Sequence, residues 1–336
     1  MNASDAGAAL PRDRIDWLPA LTPLIVAAIA APLIGSPSTF VTLTLAGLAM
    51  GMMIFTMASG LTLVFGMMDV LNFGHGAFIA LGAYVATLLF LPLAAWSQAE
   101  SLWLNLAVFA LALAAAAVIC GALGFVFERL LIVPVYGQHL KQILVTLGGS
   151  VVAEQLLYAL FGPAQIPIAA PATFRGSFVF GDAAIEKYRL VAMAIGLAVF
   201  AAQMIVLNRT KIGLLIRAGV ENREMVEALG YRIDRLFVGV FMAGSALAGL
   251  GGVLWALYRG QVLASIGGEL LVLCFIVIII GGLGSVGGCF TGAILVALIA
   301  NYAGFLAPKL ALVSNILLMV VVLLWRPRGL YPVSGR

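Results

Sequence analysis

Long apolar runs dominate the chain and limit the surroundings in which it can fold. A helix that crosses a bilayer needs about 20 mostly apolar residues, and charges or Pro and Gly clusters divide the sequence into ten such runs. These runs cover 18–35, 41–66, 74–95, 102–125, 140–161, 188–207, 236–258, 269–284, 287–306 and 309–325. Because 63% of the residues are hydrophobic, the chain has too little polar surface for a water-soluble fold. The sequence predicts an all-α polytopic membrane protein with about ten transmembrane helices, some of them broken.

The positions of Lys and Arg predict the orientation of these helices, because cytoplasmic loops beside spans are enriched in basic residues. With the N-terminus inside, the inner side holds two basic residues before the first span, Arg129, Lys141, six in 209–235 and three at the C-terminus, or 13 of 18. We therefore expect both termini in the cytoplasm. The segment before the first span mixes aspartates with arginines, unlike the basic region of a signal peptide, and is expected to be retained.

The largest external segment in this topology is the loop 162–187. It contains several prolines and the sequence "SFVF". This pattern favours an ordered cap with a short strand pair, and a plain linker is the alternative.

A cluster of charge interrupts the apolar pattern in the second half of the chain. Of the 18 basic and 14 acidic residues, ten lie in 209–235. Within it, "ENREMVEAL" predicts a short helix over 221–229, with Glu221 and Glu224 in the first turn, where the helix dipole favours acidic side chains. Gly230 suits the left-handed position that often follows a helix.

The predicted helix presents Met225, Val226 and Leu229 on one face. Isolated helices shorter than about 12 residues are marginal in water, so this helix must pack against another surface. That surface is either the inner membrane face of the protein itself or a groove on a soluble partner.

The stretch "DVLNFGHG" (69–76) is the most polar part of the first half of the chain. Asp69, Asn72 and His75 lie between two apolar runs, and the neighbouring glycines permit a broken backbone. Non-helical backbone at membrane depth occurs only where protein or water satisfies its polar groups. The pattern therefore predicts a non-helical segment over 69–76 beside a transport pathway, and an ordinary cytoplasmic turn is the alternative.

Glu154 is the only carboxylate well inside a predicted span. Ionisable groups at this depth are costly and usually face a cavity. Glu154 is therefore a pathway candidate, and an interhelical hydrogen bond together with Gln155 is the alternative.

Four stretches together resemble one family over nearly the whole chain and in order. They are "GLTLVFGMMDVLNFGHGAFIALGAYV" (60–85), "RAGVENREMVEALGYRIDRL" (217–236), "GGLGSVGGCFTGAILVALI" (281–299) and "LLWRPRGLYP" (323–332). The family is that of the permease subunits of branched-chain amino acid ABC importers. The resemblance implies one transmembrane permease domain over 1–336.

The resemblance also assigns roles to the two polar regions. It implies that 208–235 is a cytoplasmic coupling loop whose short helix inserts into a cleft on an ATPase. The implied contact residues are Glu221, Arg223, Glu224, Met225, Val226, Glu227, Leu229, Gly230 and Asp234. Near the inner end of the pathway, the family's Asn-Phe-x-His-Gly core would form a gate. With Glu154 from the residue pattern, the pathway or gate candidates are Asp69, Asn72, Phe73, His75 and Glu154.

A permease of this family would form half of the translocation pathway of an ATP-driven importer in the bacterial inner membrane. Its implied partners are a second permease, usually a different chain, two cytoplasmic ATPase subunits and an external solute-binding protein, with no nucleic acid. The sequence has no GxxxxGK[ST] loop for nucleotide phosphates. We therefore expect no enzymatic activity, cofactor or metal in this chain, with ATP hydrolysed by the partners.

The spans carry few charges, which suits a neutral or zwitterionic solute. Branched-chain amino acids are the favoured substrates. Relatives with similar motifs handle urea, short amides or small aromatic acids, and these stay open. A stand-alone secondary transporter or channel would need coupling-ion carboxylates in mid-membrane, where only Glu154 qualifies. An intramembrane enzyme is disfavoured because HExxH, Ser/His pairing and an Asp pair at helical spacing are missing from the sequence.

Overall fold

The computed structural model of the protein describes residues 18–221 and 223–332. Its helices are α1 (Leu18–Ile34), α2 (Pro37–Met68), α3 (His75–Phe90), α4 (Ala94–Ser97), α5 (Leu102–Phe127), α6 (His139–Phe161), α7 (Lys187–Arg209), α8 (Lys211–Glu221), α9 (Arg223–Ala228), α10 (Ile233–Arg259), α11 (Ile266–Gly281), α12 (Val286–Leu306) and α13 (Pro308–Trp325). A π-helical turn (Glu128–Ile132) and a 3-10 turn (Val133–Val135) continue α5, and another 3-10 turn covers Ala172–Phe174. The strands are β1 (Ile166–Pro167), β2 (Ser177–Phe180), β3 (Ala183–Glu186) and β4 (Gln261–Val262). The predicted N-terminal cytoplasmic segment lies outside the described residues.

Six of the described helices are long and apolar enough to cross a membrane: α2, α5 with its continuation to Val135, α6, α7, α10 and α12. The other four predicted runs coincide with shorter apolar helices, namely α1, α3, α11 and the Val313–Trp325 part of α13. The chain is thus an all-α, multi-pass membrane protein, as predicted. The number of spans and the side of each terminus stay predictions.

Helix α2 begins earlier than the predicted residue 41 because of its cap. Ser36 has extended backbone and its hydroxyl accepts a hydrogen bond from the Thr39 N–H at 3.5 Å, and Pro37 occupies the first helical position. Both residue types are favoured there, since the hydroxyl satisfies a free N–H and proline has none to lose.

Helices α2 and α10 form the interior of the bundle. Helix α2 packs against α12, α10 and α7, whereas α10 packs against α5, α2 and α3. In the most apolar stretch of α10, 61% of the residues are buried, against 11% in α6. The peripheral helices therefore present most of their apolar side chains outward, towards lipid or another subunit.

Close backbone contact at glycines holds the interior helices together. Gly82 of α3 lies against Gly249 of α10, and a Cβ atom on Gly82 would overlap the Gly249 backbone. Gly60 of α2 lies in the same way against Gly244 of α10. Without a hydrophobic driving force between helices in lipid, such close approach provides the packing energy.

The loop 162–187 is ordered by two short sheets. Strands β2 and β3 form an antiparallel hairpin in which Ser177 pairs with Glu186 and Phe180 with Ala183. Strand β1 pairs with β4, which follows α10. The predicted strand pair is confirmed, and the plain-linker alternative is wrong.

Candidate functional site

The first candidate site is the helix break between α2 and α3. Asp69 caps α2 in the left-handed conformation, with φ of 54°, and its N–H donates to the Phe65 carbonyl at 3.0 Å. Residues 69–74 are not helical and α3 begins at His75. The predicted break is confirmed, but its extent to residue 76 was wrong because His75 and Gly76 already belong to the first turn of α3.

Asn72 fixes the backbone of this break. Its side chain is 1% exposed, and its Oδ1 accepts a hydrogen bond from the Gly74 N–H at 2.9 Å. The adjacent Phe73 N–H donates to Thr146 Oγ1 of α6 at 3.2 Å. The break is therefore held by the hydrogen bond of the Asn72 side chain within the turn and by the hydrogen bond to Thr146 of α6.

His75 ties the start of α3 to α2. Its ring is fully buried, and its Nε2 lies 2.9 Å from the Met57 carbonyl oxygen of α2. Because a carbonyl can only accept, the proton of the neutral ring resides on Nε2. No partner for Nδ1 occurs in the described part of the chain. His75 and Asn72 are thus enclosed by protein and shape the break from inside.

Asp69 and Phe73 lie apart from this buried pair. The Asp69 carboxylate is half exposed and lies 3.9 Å from Nε2 of His139, which is also mostly exposed. The Phe73 ring instead packs on Phe275 of α11, with ring centroids 4.9 Å apart. Asp69 therefore belongs to the rim of the break, and Phe73 anchors the break to α11.

Glu154 lies beside the place where two short helices begin. Together with Ser150 it lines a narrow crevice that also includes Gly76 of α3 and Gly267 of α11. Gly76 and Gly267 are buried and their backbones are in close contact. Both helix N-termini therefore meet inside the bundle, and Glu154 lines the crevice beside them.

Glu128 carries a buried carboxylate that was not predicted from the sequence. Its residue is 3% exposed, and Oε2 has no hydrogen-bond partner in the described part of the chain. It lies 3.9 Å from Nε of Arg129 and lines a cavity of about 250 Å³ with Tyr136 and Asp234. In the sequence, Glu128 is a carboxylate a few residues after a predicted apolar run. Its burial could not be predicted, because the π and 3-10 turns continue α5 past the predicted end of the span. Asp234, predicted as an ATPase contact, thus lies beside Glu128.

The second candidate site is the polar surface formed by α8, α9 and the turn to α10. The predicted single helix over 221–229 was wrong in its extent, because helix begins at Lys211 and α9 ends at Ala228. Buried Gly213, Ile216 and Gly219 follow a three-residue spacing that gives α8 a buried face. Asn222 lies outside the described residues, as do the side chains of Glu221, Arg223 and Glu224.

The turn after α9 confirms the predicted left-handed position of Gly230. Its φ is +87°, its N–H donates to the Glu227 carbonyl at 2.9 Å, and the Tyr231 N–H donates to the Val226 carbonyl at 3.3 Å. This pair of bonds is the Schellman motif, in which a left-handed residue closes the last helical turn.

The apolar face of α9 is divided between two directions. Val226 is 4% exposed and belongs to the core with Ile216 and Ile233, whereas Met225 and Leu229 are 60% and 70% exposed. The prediction that all three share one face was wrong, because Val226 packs inward with residues of α8 and α10. Glu227 is also exposed. An outward apolar surface of Met225, Leu229 and Tyr231 remains.

Fold and sites together define a multi-pass membrane protein with a broken helix in its interior and an amphipathic surface between α7 and α10. Among the described residues, no group of three His, Cys, Asp or Glu side chains could hold a metal ion. The model of the family described as branched-chain amino acid transport system / permease component matches residues 43–324. The chain belongs to this family, whose members are transport components.

Curated relatives agree with this assignment. The chain is 26% identical over 291 residues to the high-affinity branched-chain amino acid transport system permease protein BraD of Pseudomonas aeruginosa, covering 84% of this chain and 93% of BraD. LivH of Escherichia coli K12, with the same description, is 26% identical over 84% of this chain and 92% of LivH. LivM of the same organism is 28% identical over 94% of this chain and 75% of LivM. No solved structure gives a significant match.

Proposed function

We propose that this chain is the permease subunit of an ATP-driven importer and forms half of the translocation pathway for branched-chain or related amino acids. The observation that carries the proposal is the match of the permease family over residues 43–324. In this proposal the ten apolar helices all cross the bacterial inner membrane and both termini are cytoplasmic. The basic residues of 209–235 then lie on the cytoplasmic side, as the charge rule favours.

The outward surface of Met225, Leu229 and Tyr231 is the proposed docking site for a cytoplasmic ATPase subunit. Large apolar side chains exposed next to a short helix are typical of helix-in-groove contacts. Burial of Val226 against the core holds α9 rigidly, so a push on its outer face would be transmitted to α10. Through α10, the force would reach the close glycine contacts with α2 and α3.

A second permease is the proposed partner in the membrane. Escherichia coli has both LivH and LivM, two permease proteins of one named system, and both are similar to this chain. The outward apolar surfaces of α6 and α7 leave room for a subunit contact. The loop 162–187, at the opposite end from α8 and α9, is the proposed docking site for an external solute-binding protein.

Reconstitution of the assembled complex tests the proposal. The chain, its second permease and the ATPases are placed in proteoliposomes with the external binding protein, and uptake of labelled L-leucine is measured with and without ATP. We expect uptake that requires ATP, and competition by isoleucine and valine but not by urea, acetamide or benzoate. Uptake by the permeases alone, driven by a sodium or proton gradient, would contradict the importer assignment.

A further inference from the structure

A cavity of about 670 Å³ opens at the end of the molecule opposite α8 and α9. It lies between the end of α10, strand β4, the first turns of α11 and the middle of α13. We propose that this cavity binds a zwitterionic amino acid with a branched aliphatic side chain as it enters the permease. The inference rests on the proposed import function and adds a binding site to it.

Two opposite charges face the cavity. Arg259 ends α10 and Glu269 lies in the first turn of α11. Within the described residues neither forms an ion pair. A guanidinium binds a carboxylate through paired N–H donors, and a carboxylate accepts from an ammonium group. The pair therefore complements the two charges of an amino acid backbone.

Charge in this position requires water or a polar ligand. An ionised side chain that faces hydrocarbon is costly and rare. The cavity lined by Arg259 and Glu269 is therefore not a lipid-facing surface. The Oδ1 atom of Asn315 is buried without a hydrogen-bond partner among the described residues, and Asn315 lines the same cavity. This oxygen is a further acceptor for an ammonium group.

The remaining wall is mainly apolar and matches an aliphatic side chain. Its apolar residues include Trp255, Leu263, Leu270, Leu273, Ile276 and Ile316, and the amide side chains of Gln165 and Gln261 also line it. Small-molecule sites are mostly apolar with a few placed polar groups, and this is the composition here. A charged side chain would lie against this mainly apolar wall without an opposite charge, because Arg259 and Glu269 are taken up by the backbone groups of the amino acid.

The position of the cavity suits entry of a solute. It extends from Arg259 at the end of α10 to Asn315 near the middle of α13. It also includes Ile266, the first residue of α11, next to Gly267 at the crevice with Gly76 and Glu154. A bound amino acid would therefore lie directly beside the meeting point of α3 and α11.

Direct binding to the assembled complex tests the inference. The permeases and ATPases are purified without the external binding protein, and binding of labelled L-leucine is measured in competition with isoamylamine, which lacks the carboxylate, and isocaproate, which lacks the ammonium. Arg259→Gln should weaken leucine binding by roughly ten- to hundredfold and leave isoamylamine unaffected. Glu269→Gln should weaken leucine binding similarly and leave isocaproate unaffected.

Control variants distinguish the loss of a charge anywhere in the protein from the loss of a charge in the cavity. Lys309→Gln and Asp182→Asn remove exposed charges that do not line the cavity, and both should bind leucine like the parental complex. Parental binding and analogue selectivity in the Arg259 and Glu269 variants would overturn the inference, as would loss of thermal stability without a change in selectivity. If the parental complex binds no leucine directly but imports it with the binding protein, the inference fails and the proposed function stands. Failure of ATP-dependent import would instead refute the proposed function.

Discussion

Single buried side chains decide the shape of the backbone between α2 and α3. Asn72 shows this most clearly, because its Oδ1 accepts the Gly74 N–H at 2.9 Å in a fully enclosed position. Asn72→Leu would leave that N–H without its acceptor, at a cost of about 1–3 kcal/mol. We expect lower thermal stability in detergent and lower transport. Asn208→Leu, at an exposed position near the end of α7, is the matched control, and equal behaviour of the two variants would refute a structural role for the amide.

Glycines in α10 differ in how much room surrounds them, and this yields a second prediction. A Cβ atom on Gly252 would overlap the Ile79 carbonyl oxygen and lie 3.1 Å from the Ala83 nitrogen of α3, whereas one on Gly239 would meet nothing within 4 Å. Gly252→Ala should therefore destabilise the protein by about 1–3 kcal/mol through overpacking. Gly239→Ala should be neutral or slightly stabilising, since alanine favours helix. Thermal unfolding followed by size-exclusion chromatography distinguishes the two, and equal melting temperatures would contradict the close helix contact.

Elements with long apolar sequence could be predicted to within a few residues. The predicted runs 140–161 and 287–306 correspond to α6 (His139–Phe161) and α12 (Val286–Leu306), because hydrophobicity and flanking polar residues act locally. Helix α8 was missed because its eleven residues lie among charges and its buried face depends on neighbouring helices. The direction of Val226 was missed for the same reason, since its packing with α8 and α10 separates it from Met225. Among the pathway candidates, the helix break could be predicted from its glycines, but the enclosure of Asn72 and His75 depends on contacts from α2 and α6.

The α9 element yields a third prediction about coupling. Gly230→Val places a β-branched residue at φ of +87°, with a backbone cost of about 1–3 kcal/mol, and Met225→Asp places a charge on the exposed apolar surface. Both should preserve insertion into the membrane while reducing co-purification of the ATPases and abolishing substrate-stimulated ATP hydrolysis. Burying an unpaired carboxylate in an apolar contact is the physical reason for the second effect.

Conservative variants at the same two positions are the controls for coupling. Gly230→Asn keeps a residue that tolerates the left-handed region, and Met225→Leu keeps an apolar side chain of similar volume. Both should retain the ATPases. If Gly230→Val and Met225→Asp also transport at the parental rate, the outward face of α9 is a solvated surface and the docking proposal is wrong.

At the scale of the whole molecule, the two ends of the bundle differ in charge and in shape. The end with α8 and α9 holds a short amphipathic surface rich in basic residues, whereas the opposite end holds the β2–β3 hairpin and the cavity between α10, α11 and α13. A directional transporter needs such an asymmetry, because energy enters at one side and solute at the other. The interior between them is tightly packed through glycines, so a movement of one helix shifts its neighbours.

This asymmetry leads to the last prediction, which concerns topology. Ser177 in the exposed strand β2 should face the outside, and Ser334, outside the described residues, should face the cytoplasm. The native cysteines are all buried and can be replaced by alanine: Cys120, Cys274 and Cys289. In intact cells a membrane-impermeant thiol reagent should then label Ser177→Cys and not Ser334→Cys, and permeabilisation should expose the second site. Equal labelling before permeabilisation would refute the cytoplasmic C-terminus, because the reagent reaches only groups on the outer side of a sealed membrane.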